Sequence, residues 1–200
     1  MATVEAPSTD LSARERVELR FSGFGGHGII LSGYIVGRAA TVHAGRYAVM
    51  AQSYGPESRG GACMTELVVA DSEIAYPRVV VPDLSVVMSQ PAYVKYGMGR
   101  PESCLLIVDG DLVTPDAEAE RGRLVLAAPA TRLAEELGRR IMANIVMLGF
   151  VCGATRLLPY EVMRDAVAAS VPGGSEEANL MAFETGHDHA LAGLGGGGVA

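Results

Sequence analysis

Residues 17–33 read Val17-Glu18-Leu19-Arg20-Phe21-Ser22-Gly23-Phe24-Gly25-Gly26-His27-Gly28-Ile29-Ile30-Leu31-Ser32-Gly33. Apolar residues alternate over Val17–Phe21, which predicts a short strand. The glycine-rich turn Ser22–Gly28 follows at once. From Gly28 to Ala44 the chain is apolar on nearly every side, which predicts a buried helix. Gly33 and Gly37 lie four apart on one face of that helix, a spacing suited to close packing on a sheet. A strand that turns through glycines into a buried helix is the opening unit of an α/β domain.

The same pattern continues outward. Tyr47–Ala51, Cys63–Ala70, Leu84–Met88, Cys104–Val108 and Leu124–Ala127 read as strands, the central ones as the continuous apolar runs typical of buried parallel strands. Thr131–Arg139, Met142–Cys152, Pro159–Ser170 and Ser175–Leu191 read as helices, with Pro159 suited to a first turn and Ser175 to an N-cap. The expected fold is one Rossmann-like α/β domain, a mostly parallel sheet with helices on both faces. Its span is 17–191, between a flexible arm at 1–16 and a flexible Gly-rich tail at 192–200.

A chain of 200 residues can bury a core of this kind without disulfides or a metal. Hydrophobic residues make up 49%, rich enough to suggest surface that partners cover. The net charge of −7 and the single Lys, Lys95, argue against nucleic acid as a partner. No apolar run is long enough to span a bilayer, and the N-terminal residues are polar and acidic rather than those of a signal peptide. A cytoplasmic protein is expected. Cys63, Cys104 and Cys152 stand alone in apolar surroundings with no C-x-x-C spacing, so they read as buried small hydrophobes rather than cluster or zinc ligands.

Two loops carry the chemistry. Gly23, Gly25 and Gly28 satisfy G-x-G-x-x-G between a strand and a helix, where backbone N–H groups and a helix N-terminus can meet an anion. A dinucleotide site also needs an acid at the end of the second strand, and Ala51-Gln52-Ser53 supplies none. Gly23, Gly25, Gly26, His27 and Gly28 are therefore candidates for phosphate or cofactor contact, with a plain packing turn as the other reading. The second loop, Gln52–Gly61, combines hydroxyls, an aromatic ring, a carboxylate and a guanidinium. Ser53, Tyr54 and Arg59 are its candidates for ligand or subunit contact. Ser89-Gln90-Pro91 after a further strand is a weak third signal for the same crevice. The pair His187 and His189 cannot face one metal from a helix, and no catalytic constellation is visible.

The segments FSGFGGHGIILSG, AQSYGPESRGGACMTELVVAD, Tyr76-Pro77, PDLSVVMSQPAY, LLIVD, Asn144 in IMANIVMLG and NLMAFETGHDHA, in this order over about residues 17–190, resemble the gamma-type chain of 2-oxoacid:ferredoxin oxidoreductases. The resemblance implies a subunit that is inactive alone. In such enzymes thiamine diphosphate with Mg and 4Fe-4S clusters belong to partner chains. The partners are alpha and beta chains and a ferredoxin-like delta chain, and the gamma chain contributes to a shared site for coenzyme A. SYGPESRGG looks closest to enzymes acting on 2-oxoglutarate; pyruvate, indolepyruvate and phenylglyoxylate enzymes are the alternatives. His27 stands where family members often carry Gln. A freestanding NAD-dependent dehydrogenase is the alternative from a different class.

Overall fold

Strand β1 (Arg16–Phe24) forms the middle of a six-stranded sheet in the computed structural model, which describes residues 9–53 and 62–195. The other strands are β2 (Tyr47–Ser53), β3 (Ala62–Ala70), β4 (Leu84–Val87), β5 (Leu105–Asp109) and β6 (Val125–Ala128). Their spatial order is β2-β3-β1-β4-β5-β6. β1, β4, β5 and β6 pair in parallel; β3 runs antiparallel to both β1 and β2. β1 outlasts the strand expected from its alternation. Gly23 pairs with Cys63 and Phe24 with Ala62, so the turn is confined to Gly25–Gly28.

Side chains alternate across the sheet and divide the molecule into two unequal layers. Leu19, Phe21, Leu67, Leu84, Val86 and Ile107 lie on one face, in a single apolar cluster with residues from all five longer helices. These are α1 (Ile29–Arg38, continued by a π-helical turn over Ala39–His43), α3 (Ala130–Glu136), α4 (Ala143–Thr155), α5 (Tyr160–Ala168) and α6 (Glu176–Gly195). Against the other face, Val87, Leu106 and Val108 pack with Ala92, Tyr93 and Val113. That cover comes from α2 (Gln90–Ala92), a π-helical turn over Tyr93–Gly97 and the connections beyond it. Helices thus lie on both faces, the long ones all on one. A charged network also holds the thinner layer. The Arg100 guanidinium meets Glu120 at 2.6 Å, the Tyr93 hydroxyl donates to the same carboxylate at 2.7 Å, and the Asp116 N–H donates to that hydroxyl at 3.0 Å.

α4 is buried from Asn144 to Thr155, apolar on every side because the sheet lies on one flank and α6 on the other. The two helices approach closely at Gly149 and Gly186. A Cβ on Gly149 would meet the Phe183 carbonyl, and one on Gly186 would meet the Val146 carbonyl. Gly33 serves the packing that its spacing suggested: a Cβ there would lie 2.6 Å from Thr65 Cγ2 on β3. Ahead of β1, Leu11 is 1% exposed and its N–H donates to the Thr155 carbonyl at 2.8 Å. So residues 9–15 of the arm expected over 1–16 are anchored; residues 1–8 lie outside the described residues. α6 continues to Gly195, four residues past the expected end at Leu191.

The three cysteines are buried and unpaired. Burial pushes the Cys104 thiol up to about 11 and the Cys152 thiol to about 12, and it raises Cys63 as well. Since the thiolate is the reactive form, a thiol reagent at pH 8 is expected to leave the folded chain unlabelled. Under denaturant it should count all three cysteines. A fast-reacting thiol in the native chain would contradict this burial. No helix among the described residues is long and apolar enough to cross a membrane.

Candidate functional site

The sheet changes winding direction between β1 and β4. From β1 the chain leaves through α1 on one face toward the β2 edge; from β4 it leaves through α2 on the other face toward β5. In open α/β sheets ligands bind beyond the carboxyl ends of the strands at this switch point. A crevice of about 320 Å³ lies there, lined by Gly26, His27, Met88, Leu112, Thr131, Arg140, Ile141 and Ala143. Gly26 and His27 follow β1, Met88 follows β4, and Leu112 follows β5.

Gly25, Gly26 and His27 are exposed. Gly26 (φ 90°) and Gly28 (φ 72°) turn the backbone through the left-handed region that favours glycine. Gly28 is glycine for a second reason, since a Cβ there would strike the Asn144 side chain. Asn144, 4% exposed at the start of α4, donates from Nδ2 to the Gly28 carbonyl at 3.3 Å and so ties the turn to α4. No side chain caps α1, which leaves its first turn able to offer N–H groups to an anion. The His27 ring stands edge-on to Phe24 at 5.6 Å. Gly23, in contrast, belongs to the strand: a Cβ there would lie 2.6 Å from Ile29 Cδ1, so its role is packing.

The far side of the crevice is built by residues that carry no local signal in the sequence. Asp109 ends β5 fully buried and accepts the Thr131 hydroxyl at 2.6 Å and the Asp111 N–H at 3.1 Å. Burial raises its carboxyl above the ordinary value, partly opposed by these hydrogen bonds. Arg140 and Ile141 form the lip. Arg140 pairs with Glu135 at 3.0 Å with both side chains largely exposed, an interaction worth little to stability and easily exchanged for another anion. Ile141 is 80% exposed, unusual for its type. Only the fold brings these residues to His27; no local motif marks them.

Ser53 ends β2 at the same sheet edge as the glycine turn, exposed, but β3 separates β2 from β1. Two strand spacings, about 10 Å, therefore keep Ser53 out of the lining. The same insertion displaces the place where a dinucleotide fold holds its ribose, which counts against the dehydrogenase alternative. Tyr54 and Arg59 lie outside the described residues. The Ser89 hydroxyl accepts the Ala92 N–H at 3.4 Å as the cap of α2, and Gln90 exchanges two hydrogen bonds with Thr114. Those two residues hold structure, and it is Met88 just before them that reaches the crevice. His187 packs its ring on Tyr160 at 4.5 Å. Among the described residues no group of three or more His, Cys, Asp or Glu is placed to hold a metal.

Comparison with known proteins agrees with this architecture. The family model described as pyruvate ferredoxin/flavodoxin oxidoreductase matches residues 18–189. The 2-oxoglutarate synthase subunit KorC of Methanocaldococcus jannaschii is 47% identical over 174 residues, covering 86% of this chain and 93% of the relative. KorC of Methanothermobacter thermautotrophicus is 47% identical over 184 residues, covering 89% and 97%. The crystal structure of a keto/oxoacid ferredoxin oxidoreductase gamma subunit from Geobacter sulfurreducens superposes with a TM-score of 0.75 at 36% identity, covering 88% of this chain and 99% of that one. Sheet order, the glycine turn before α1 and a match across nearly the whole domain lead to one assignment: the chain belongs to the pyruvate ferredoxin/flavodoxin oxidoreductase family, as one of its gamma-type chains.

Proposed function

We propose that this chain is the gamma subunit of a cytoplasmic 2-oxoacid:acceptor oxidoreductase, acting on 2-oxoglutarate, and that it contributes part of a shared coenzyme A site. The observation that carries the reading is the crevice at the β1/β4 switch point. Its exposed glycine turn, uncapped α1 terminus, His27 and Arg140 suit the phosphates of coenzyme A, while Met88, Leu112 and Ile141 suit an uncharged body. In this reading Gly25, Gly26, His27 and Gly28 meet the ligand directly, and Gly23 holds the turn against α1. Ser53, outside this crevice, and Tyr54 and Arg59 of the second loop are proposed as contacts for a partner or for a part of coenzyme A beyond it. Oxidative decarboxylation requires a carbanion-stabilising cofactor and an electron relay. The three cysteines here are buried and unclustered, which supports placing the 4Fe-4S clusters on partner chains; thiamine diphosphate with Mg is likewise proposed to belong to the alpha, beta and delta partners. Exposed Tyr34, Val42, Tyr47 and Ile141 give such partners apolar surface to cover.

The test uses the assembled complex and a coenzyme A titration. Gly25 is exposed and has no left-handed backbone to preserve. Gly25→Val should thus leave folding intact while its side chain blocks approach to the backbone. The expected result is co-purification as in the unaltered complex with a half-saturation for coenzyme A raised by about tenfold, the size of one charge-assisted contact. Unaltered affinity in an assembled complex would refute the anion role of the turn.

Arg59 separates ligand from interface in the second loop. If Arg59 makes a charge-assisted hydrogen bond, Arg59→Ala should cost roughly 1.5–3 kcal/mol, a weakening of about 10- to 150-fold. A raised half-saturation for coenzyme A with intact assembly places the guanidinium on the ligand, and failure to co-purify places it on a partner. Full activity with normal assembly would remove the loop from the site.

A further inference from the structure

The crevice is not symmetrical in its hydrogen bonding. At one end lie Gly26, His27 and Arg140, groups that donate. At the other, Thr131 follows β6, three strand spacings or about 14 Å from the end of β1, whereas Arg140 leads into Asn144, which bonds to the Gly28 carbonyl. Thr131 is 5% exposed and lines the crevice with Leu112 beside it. Its hydroxyl donates to Asp109 Oδ2 at 2.6 Å. Asp109 also receives the N–H groups of Asp111 and Thr131. The three donors aimed at it favour the ionised, accepting form and offset part of the burial that raises its carboxyl. The neighbouring Asp111 carboxylate takes the Arg132 N–H at 2.9 Å, which fixes the same corner.

We infer that Asp109 sets the polarity of the crevice through Thr131: the hydroxyl proton is committed to the buried carboxylate, so Thr131 presents only acceptor lone pairs, and the bound molecule must place an N–H or O–H donor there while its anionic end lies toward Gly26, His27 and Arg140. Asp109 is a positioning residue that touches no ligand. Its buried negative charge also repels an anion from the Thr131 end, so one pair of residues both attracts a donor and fixes the direction of binding. The ligand class is an elongated anion with an amide or hydroxyl in its body. The inference rests on the reading that this crevice takes coenzyme A.

Three variants of the assembled complex test it, with coenzyme A as the probe. Thr131→Val removes the acceptor. Thr131→Ser restores it. Asp109→Asn keeps the shape but turns a donor toward the Thr131 oxygen and frees its proton. Thr131→Val and Asp109→Asn should each raise the half-saturation for coenzyme A by about two- to tenfold, the range of one uncharged hydrogen bond, with kcat unchanged. Thr131→Ser should stay within about twofold of the unaltered complex. Equal losses in Thr131→Ser and Thr131→Val would overturn the inference, because a missing methyl rather than a missing hydroxyl would then explain both. If Gly25→Val raises the half-saturation and neither Thr131→Val nor Asp109→Asn does, the polarity is wrong and the coenzyme A reading stands. If none of the three moves it, both fall. Should Asp109→Asn fail to assemble, the Val and Ser pair at Thr131 decides alone.

Discussion

A Gly186→Val chain is expected to lose a large share of its stability, roughly 4–5 kcal/mol. The cause lies in the α4–α6 crossing, where a Cβ at position 186 would press on the Val146 carbonyl and lie 3.0 Å from the Phe150 backbone nitrogen. Both are backbone atoms of a helix buried along its length, so no side chain can swing aside. The helices must separate, and the packing of Phe183 and Ala190 against the α4 side of the core opens with them. Overpacking a core with one or two methylenes typically costs about 1–3 kcal/mol. A clash of three added carbons with rigid backbone should exceed that, at roughly 4–5 kcal/mol. For a domain of this size each kcal/mol shifts Tm by about 2–4 °C, so a fall of roughly 10–20 °C is expected where the chain folds at all. Thermal unfolding followed by circular dichroism measures it. A Gly186→Val chain within a few degrees of the unaltered one would mean that the helices do not cross so closely.

The second large effect belongs to Glu120. Arg100 is fully buried at its side chain and Glu120 nearly so. Glu120→Ala leaves the guanidinium without its counter-ion and the Tyr93 hydroxyl without its acceptor. Breaking a buried pair from one side costs about 3–5 kcal/mol, and urea unfolding at neutral pH should show a loss of that order. Glu120→Gln keeps the shape and should lose less. The pH dependence has a definite sign. Burial alone would raise the Glu120 carboxyl, but hydrogen bonds from Arg100 and Tyr93, with the charges of Arg100 and Arg123, outweigh it and hold the group below its ordinary 4.5. A depressed carboxyl contributes stability that is complete above 4.5 and disappears as the pH falls through the lower folded value. The gap between the unaltered chain and Glu120→Gln should therefore narrow on acidification below 4.5. A gap that widened there would show that the network does not stabilise the ionised form.

Much of the fold was legible because its elements carry local signals of different period. All six strands and the longer helices are expected from the sequence within a few residues of where they lie. The strand ends were set instead by partners: Gly23 and Phe24 read as turn by composition, yet β3 continues beside them and holds them extended. The direction of β3 had a local cue, since residues 54–61 are too few for the crossover that a parallel pair needs. α2 escaped notice because it is three residues long, begun by a Ser cap and a Pro at its first turn.

The site divides in the same way. By itself the sequence determined the glycine turn, because positive φ and a backbone without side chains are properties of residue type that no neighbour has to supply. It also determined that clustered cysteines and a dinucleotide acid are missing, since both are matters of spacing along the chain. Tertiary structure alone decided that β3 lies between β2 and β1, which removes Ser53 from the crevice. It alone carried Thr131, Arg140 and Ile141 to within reach of His27, across more than a hundred residues of chain. Proximity between such distant residues is fixed by how the sheet winds and which face each helix covers, and that is a balance of long-range packing that no local stretch encodes.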